Sequence, residues 1–103
     1  MTIDILYFDG CPNAEPAFAV VRDVVRATGV VGVIREIEVK TDEEAARLRF
    51  LGSPTVQVDG VDIEPEARDR TDFSFGCRMF GPMGGAIPKD LLRAALLRSG
   101  NDP

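Results

Sequence analysis

Residues 55–64 read Thr-Val-Gln-Val-Asp-Gly-Val-Asp-Ile-Glu, two alternating runs joined by the dipeptide Asp59-Gly60. This is the strongest local signal in the chain. Asp-Gly suits the two-residue turns that join antiparallel strands, because both residues tolerate positive φ. With a two-residue loop Val58 faces Val61 and Val56 faces Ile63, so all four apolar side chains share one side of the hairpin. That side has to be covered by other elements of the fold.

The flanking sequence supplies candidates for the cover. Ile3 to Phe8 is nearly continuous apolar sequence broken only by Asp4, the pattern of a strand buried on both faces of a parallel sheet. Gly10 permits a turn, and Ala14 to Thr28 follows with helical spacing: Phe18, Val21 and Val25 on one face, Glu15, Arg22 and Arg26 on the other, and Gly29 as terminator. Val33 to Val39 alternates, with Ile37 and Val39 in phase with Val33 and with Glu36 and Glu38 opposite, as on a half-exposed strand. Asp42 to Arg49 places acids first and bases last along a short helix, with Gly52 read as its end. A last helix runs from Pro88 through Leu91, Leu92, Ala95 and Leu96 to Ser99-Gly100. The expected architecture is α/β in one domain, residues 1–103: a β-α-β unit, a second helix, an antiparallel hairpin and a C-terminal helix around a central mixed sheet.

Composition removes several functions. The formal charge is −5 with no extensive Lys/Arg cluster, which argues against a nucleic-acid or anionic-membrane surface. No stretch approaches the length of a membrane-spanning helix, and Met1-Thr2-Ile3-Asp4 lacks the pattern of a secretory leader, so a cytoplasmic location is expected. The chain has no histidine. Cys-His and Ser-His catalytic pairs are therefore excluded, as are the imidazole ligands of most zinc sites. Two cysteines without a leader make a structural disulfide framework unexpected and leave room for a transient redox bond.

Cys11 lies in Phe8-Asp9-Gly10-Cys11-Pro12-Asn13, after the first strand and before the first helix. Unpaired N–H groups and the positive end of the macrodipole at a helix start favour thiolate over thiol. Two cap assignments compete. If Cys11 is the cap, Pro12 takes the first helical position and Pro16 deletes an interior bond. If Asn13 is the cap, Pro16 falls in the first turn and Cys11 stands two residues outside the helix, where the dipole acts more weakly.

Two local matches carry a resemblance to the thioredoxin-like superfamily: Cys11 at the end of the first strand, and Ser53-Pro54-Thr55 at the entrance to the hairpin. The resemblance implies a thioredoxin-like fold, a cis bond before Pro54, and a site around Cys11 lined by Pro12, Ser53, Pro54 and Thr55, with the backbone of Ser53 pairing with bound peptide. It departs from the dithiol pattern, because Cys11-Pro12-Asn13-Ala14 carries alanine where a C-x-x-C motif has its second cysteine. Resolution then falls to an external thiol or to Cys77.

Cys77 lies between Pro65 and Ile87, too long a connection to be an ordinary loop in so small a domain. Gly76-Cys77-Arg78-Met79-Phe80-Gly81-Pro82-Met83-Gly84-Gly85 mixes glycine with apolar residues and reads as an ordered cap, with Met79 and Met83 as filler and Arg78 as a cation beside the thiol. Gly84-Gly85 lacks the Lys-Ser/Thr ending of a phosphate loop. Asp9 is a turn residue and the acid nearest to Cys11 in sequence. The same landmarks, with Arg49-Phe50-Leu51-Gly52-Ser53-Pro54-Thr55-Val56, resemble small bacterial thioredoxin-like proteins described as alkylmercury-lyase-like, which implies a soft metal held by Cys11 and Cys77. No aspartate matches that group's proton donor, and Ala14 stands three residues after Cys11. The functional expectation is a thiol redox protein with Cys11 as nucleophile and Cys77 as possible resolving thiol. It would act on a small thiol or a protein disulfide and need no cofactor. The alternatives are a soft-metal or organomercurial thiol site and a non-catalytic binding module that uses the same cleft.

Overall fold

The computed structural model describes residues 1–80 and 84–100, so Met83 and its neighbours Gly81 and Pro82 lie outside the described residues. Among the described residues the elements are β1 (Thr2–Tyr7), α1 (Ala14–Thr28), β2 (Val33–Glu38), α2 (Asp42–Leu48), β3 (Thr55–Val58), β4 (Val61–Asp62) and α3 (Lys89–Gly100), with a 3-10 turn at Pro65–Ala67. The strands form a mixed sheet in the order β2-β1-β3-β4. β1 runs parallel to β2 and antiparallel to β3, and β3 runs antiparallel to β4. The expected α/β architecture with a central mixed sheet is present.

The hairpin has the register that its alternation dictates. Val58 pairs with Val61, and the Ile63 amide donates to the Val56 carbonyl at 3.1 Å. Asp59 and Gly60 adopt φ of 51° and 81°, the two positive values of a type I′ turn. Val56, Val58 and Ile63 are buried with Ile3 and Ile5 against Phe18, Val21 and Val24 of α1 and Leu92, Ala95 and Leu96 of α3. Val61, at the hairpin tip, is partly exposed.

The other face of the sheet carries a smaller core of Leu6, Val39, Ala45 and Phe50. α2 is only seven residues long. It covers the Ile37–Val39 end of β2 and leaves Val33 62% exposed. The apolar phase read across Val33, Ile37 and Val39 is thus buried only at its C-terminal end. The opposite phase places Ile34 against the larger core, and Glu36 accepts a hydrogen bond from Arg22 of α1 at 3.3 Å.

Two helix boundaries differ from the sequence expectation. α2 ends at Arg49, not Gly52: Arg49 takes the left-handed position (φ 59°) and the Phe50 amide donates to the Ala45 carbonyl at 2.8 Å. The unfavourable position is held by the side chain, whose guanidinium donates to the Arg68 carbonyl at 3.0 Å and stacks on Phe73. At the other end Thr41 caps α2, with its hydroxyl accepting from the Glu44 amide, while the Glu44 carboxylate reaches back to the Lys40 amide. α3 begins one residue after Pro88, whose carbonyl accepts from the Leu92 amide.

The hairpin turn also ties the chain's first strand to its last helix. The Asp59 carboxylate accepts from the Ser99 hydroxyl and from the Thr2 amide, and these two bonds, the first the larger, hold its pKa below the ordinary carboxylate range. A depressed pKa in the folded state contributes stability above the unfolded pKa of about 3.9, and that contribution is lost as pH falls through the folded value. The group is fully exposed, so the effect is small. Asp59→Asn keeps the turn's conformational tolerance and removes the charge. Urea unfolding from about pH 6 to about pH 2 should show the wild type more stable at the upper end and the gap closing on acidification; a constant gap would mean that the charge contributes nothing.

Candidate functional site

Two consecutive turns deliver Cys11 from β1 to α1. The Cys11 amide donates to the Phe8 carbonyl at 3.3 Å, and the Ala14 amide donates to the Cys11 carbonyl at 3.2 Å. Gly10 occupies the third position of the first turn with φ 87°, the positive value that a type II turn requires there. Asn13 is the cap residue, without a side-chain bond, and its carbonyl accepts from the Ala17 amide. The structure therefore adopts the second of the two cap arrangements: Cys11 stands two residues outside α1, and Pro16 sits in the first turn, where no intrahelical donor is needed.

Cys11 is nine-tenths buried, at 7% exposure, and belongs to the same apolar cluster as Ala14, Phe18, Phe80 and Ile87. Its Sγ–H donates to the Ser53 carbonyl at 3.7 Å. Pro12 is exposed beside it, and Asp9 is exposed in the preceding turn. The Ser53–Pro54 peptide is cis. Ser53, Pro54 and Thr55 are all buried. The Ser53 hydroxyl accepts from the Phe8 amide at 3.4 Å, and the Thr55 hydroxyl donates to the Gly52 carbonyl at 2.6 Å.

The long connection does not merely cap this site; it pairs with it. The Ser53 amide donates to the Gly76 carbonyl at 2.8 Å and the Arg78 amide donates to the Ser53 carbonyl at 3.0 Å, a parallel bridge that sets Cys77 beside Ser53. Both backbone groups of Ser53 are thus used within the chain. A backbone-pairing site for peptide at Ser53, which the resemblance implies, is filled by residues 76–78. Both cysteines are free thiols, Cys11 buried and Cys77 exposed, and Ser53 meets the first through its carbonyl and the Cys11 sulfur and the second through a backbone bridge.

Side chains along this strap anchor it from both sides of the sheet. Phe75 meets Phe50 edge-on at 5.9 Å and Phe8 at 6.3 Å, and Phe80 is buried in the larger core. Between them Arg78, 1% exposed, forks onto Asp62 at 2.9 and 3.1 Å, reaches Glu64 at 3.2 Å and the Thr55 hydroxyl at 3.1 Å, and lies over the Phe80 ring. Its Nε is the one buried side-chain polar atom among the described residues that lacks a partner. The expectation that Arg78 acts as a cation for the neighbouring thiol is corrected here. Successive residues of an extended segment point to opposite sides, so the guanidinium is committed to two carboxylates while Cys77 and Met79 face outward.

Gly52 has a different role from helix termination. At φ 114°, a Cβ on it would stand 2.9 Å from the Gly76 carbonyl oxygen and 3.1 Å from the Arg78 nitrogen. The residue is small because the strap crosses it. Sequence reading located Cys11, Ser53, Pro54 and Cys77 but missed Gly52, Asp62 and Glu64. Alternation along the hairpin does place Asp62 and Glu64 on one side, and nothing local names the cation between them.

Among the described residues no group of three or more His, Cys, Asp and Glu side chains is arranged to hold a metal ion, and no helix is long and apolar enough to cross a membrane. Comparison with protein-family profiles, curated proteins and solved structures gave no match.

Proposed function

We propose that this chain is a thiol redox protein of thioredoxin-like fold in which Cys11 and Cys77 form a redox pair serving a small thiol or a protein disulfide. The observation that supports the reading is Ser53, whose carbonyl accepts from the Cys11 thiol while its backbone pairs with the segment that carries Cys77. In the reaction, one thiolate of the pair attacks an incoming disulfide, forming a mixed disulfide and releasing one thiolate. The second cysteine then attacks the protein-side sulfur, forming the internal bond and releasing the other half. The two thiol protons go to the two released thiolates, and an external thiol returns the pair to its reduced form. A cytoplasmic location, where reductant is plentiful, suits this cycle.

Closing the bond requires the two Cβ atoms to come to about 3.8 Å. A Cβ at Gly10 or Gly76, which adjoin the two cysteines, would meet nothing within 4 Å, and closure has to shift the strap that the Gly76 carbonyl and the Arg78 amide hold at Ser53. Incubation with a mild disulfide oxidant followed by peptide mapping should yield an intramolecular Cys11–Cys77 linkage, absent from both Cys11→Ser and Cys77→Ser. Intermolecular bonds alone, or two thiols that stay free, would sink the reading.

A further inference from the structure

We infer that the exposed Cys77, not Cys11, is the thiol that meets the substrate, with Cys11 acting as the buried resolving thiol. The inference rests on the redox reading above and reverses the order of attack expected from the sequence.

Thiol–disulfide exchange needs a thiolate with an open approach to the target sulfur. Cys11 lacks the open approach in the reduced protein. It is 7% exposed, and its Sγ lies against the Ser53 carbonyl at 3.7 Å, inside the fold. The route by which an extended polypeptide would carry a disulfide to it, by adding a strand at Ser53, is closed because Gly76 and Arg78 hold both backbone groups there. Cys77 sits on the outer side of that same bridge, exposed, between buried Arg78 and Gly76, where an added Cβ would meet nothing within 4 Å. The strap therefore holds Cys77 in solvent while its backbone pairs with Ser53, the residue whose carbonyl accepts from the Cys11 thiol.

The sequence of bonds follows. The Cys77 thiolate attacks a small disulfide RS–SR, forming Cys77–S–S–R and releasing RS⁻. Cys11, giving up its proton, then attacks Cys77 Sγ, breaking the bond to R and releasing a second RS⁻. The protein loses two electrons to the substrate, and the two thiol protons complete two molecules of RSH. The favoured substrate class is a low-molecular-weight disulfide, which needs no strand pairing at Ser53.

Timed alkylation of the reduced wild-type protein with iodoacetamide, resolved by peptide mass, tests the order without any substitution. Cys77 should label at least about tenfold faster than Cys11. With oxidised glutathione, Cys11→Ser should accumulate a stable mixed disulfide on Cys77, and Cys77→Ser should accumulate none on Cys11 over the same period. Faster labelling of Cys11, or a mixed disulfide on Cys11 in Cys77→Ser, overturns the order and leaves the redox pair standing. A wild-type mixed disulfide on Cys77 that never passes to Cys11 removes both the pair and this inference.

Discussion

Arg78→Ala is expected to destabilise the fold by about 3–5 kcal/mol, the range for a buried ion pair that loses one partner. Domains of this size have a total stability of about 5–15 kcal/mol, so the variant should be visibly shifted in urea or heat. The cause is the pair of acids left behind. Asp62 is 7% exposed and faces Arg78 through two parallel bonds, and Glu64 adds a third. Without the guanidinium, the buried Asp62 carboxylate and the part-buried Glu64 carboxylate lose the cation between them, and the Thr55 hydroxyl loses a donor. Arg78→Lys keeps the charge but not the fork and should recover only part of the loss. Pairing Arg78→Met with Asp62→Leu removes both sides of the main bond, so the double variant should be more stable than the sum of its parts. An Arg78→Ala protein within about 1 kcal/mol of wild type would mean that the ion cluster does not anchor the strap.

That cluster also shows where local sequence logic stops. From Cys77 to Phe80 the chain alternates outside and inside, but the arginine and the phenylalanine go in while cysteine and methionine stay out. Hydrophobicity alone assigns Arg78 outward. The decision is made by Asp62 and Glu64 on a hairpin more than a dozen residues earlier, a long-range pairing that no window of sequence contains. By contrast, α1 spans the residues its periodicity marks, Ala14–Thr28, because an apolar stripe, an early proline and a terminal glycine all lie within it or beside it. The hairpin register was equally legible, since the two-residue turn determines which side chains face each other.

The candidate site divides along the same line. Cys11 and Ser53-Pro54 are recognisable from their immediate neighbours. That Ser53 is already paired, and that Cys77 is the exposed thiol of the two, depends on how residues 73–80 return to the sheet through Phe73, Phe75, Arg78 and Phe80. Glycine illustrates the ambiguity most directly. Gly52 follows a helical pattern and reads as its terminator, yet Arg49 ends the helix and Gly52 makes room for a backbone some two dozen residues later.

Gly52→Ala should therefore cost more than a backbone conformation alone requires. At φ 114° any L-residue is strained, by about 1–3 kcal/mol. The added methyl would also stand 2.9 Å from the Gly76 carbonyl oxygen and 3.2 Å from the Arg78 Cα, both of them backbone atoms that cannot swing aside like a side-chain tip. Overpacking of this kind adds about 1–3 kcal/mol, so a combined loss of about 2–6 kcal/mol is expected. Gly10→Ala supplies the control, because Gly10 also has positive φ, 87°, while a Cβ there meets nothing within 4 Å. The excess of Gly52→Ala over Gly10→Ala isolates the contact with the strap. Amide hydrogen exchange reads the same event locally: in Gly52→Ala the Ser53 and Arg78 amides should lose protection ahead of the amides of β1, since their partners lie on the strap and on the cis peptide it covers. Equal costs for the two alanine variants, with Ser53 still protected, would show that residues 76–78 yield easily and that the strap does not close the edge of Ser53.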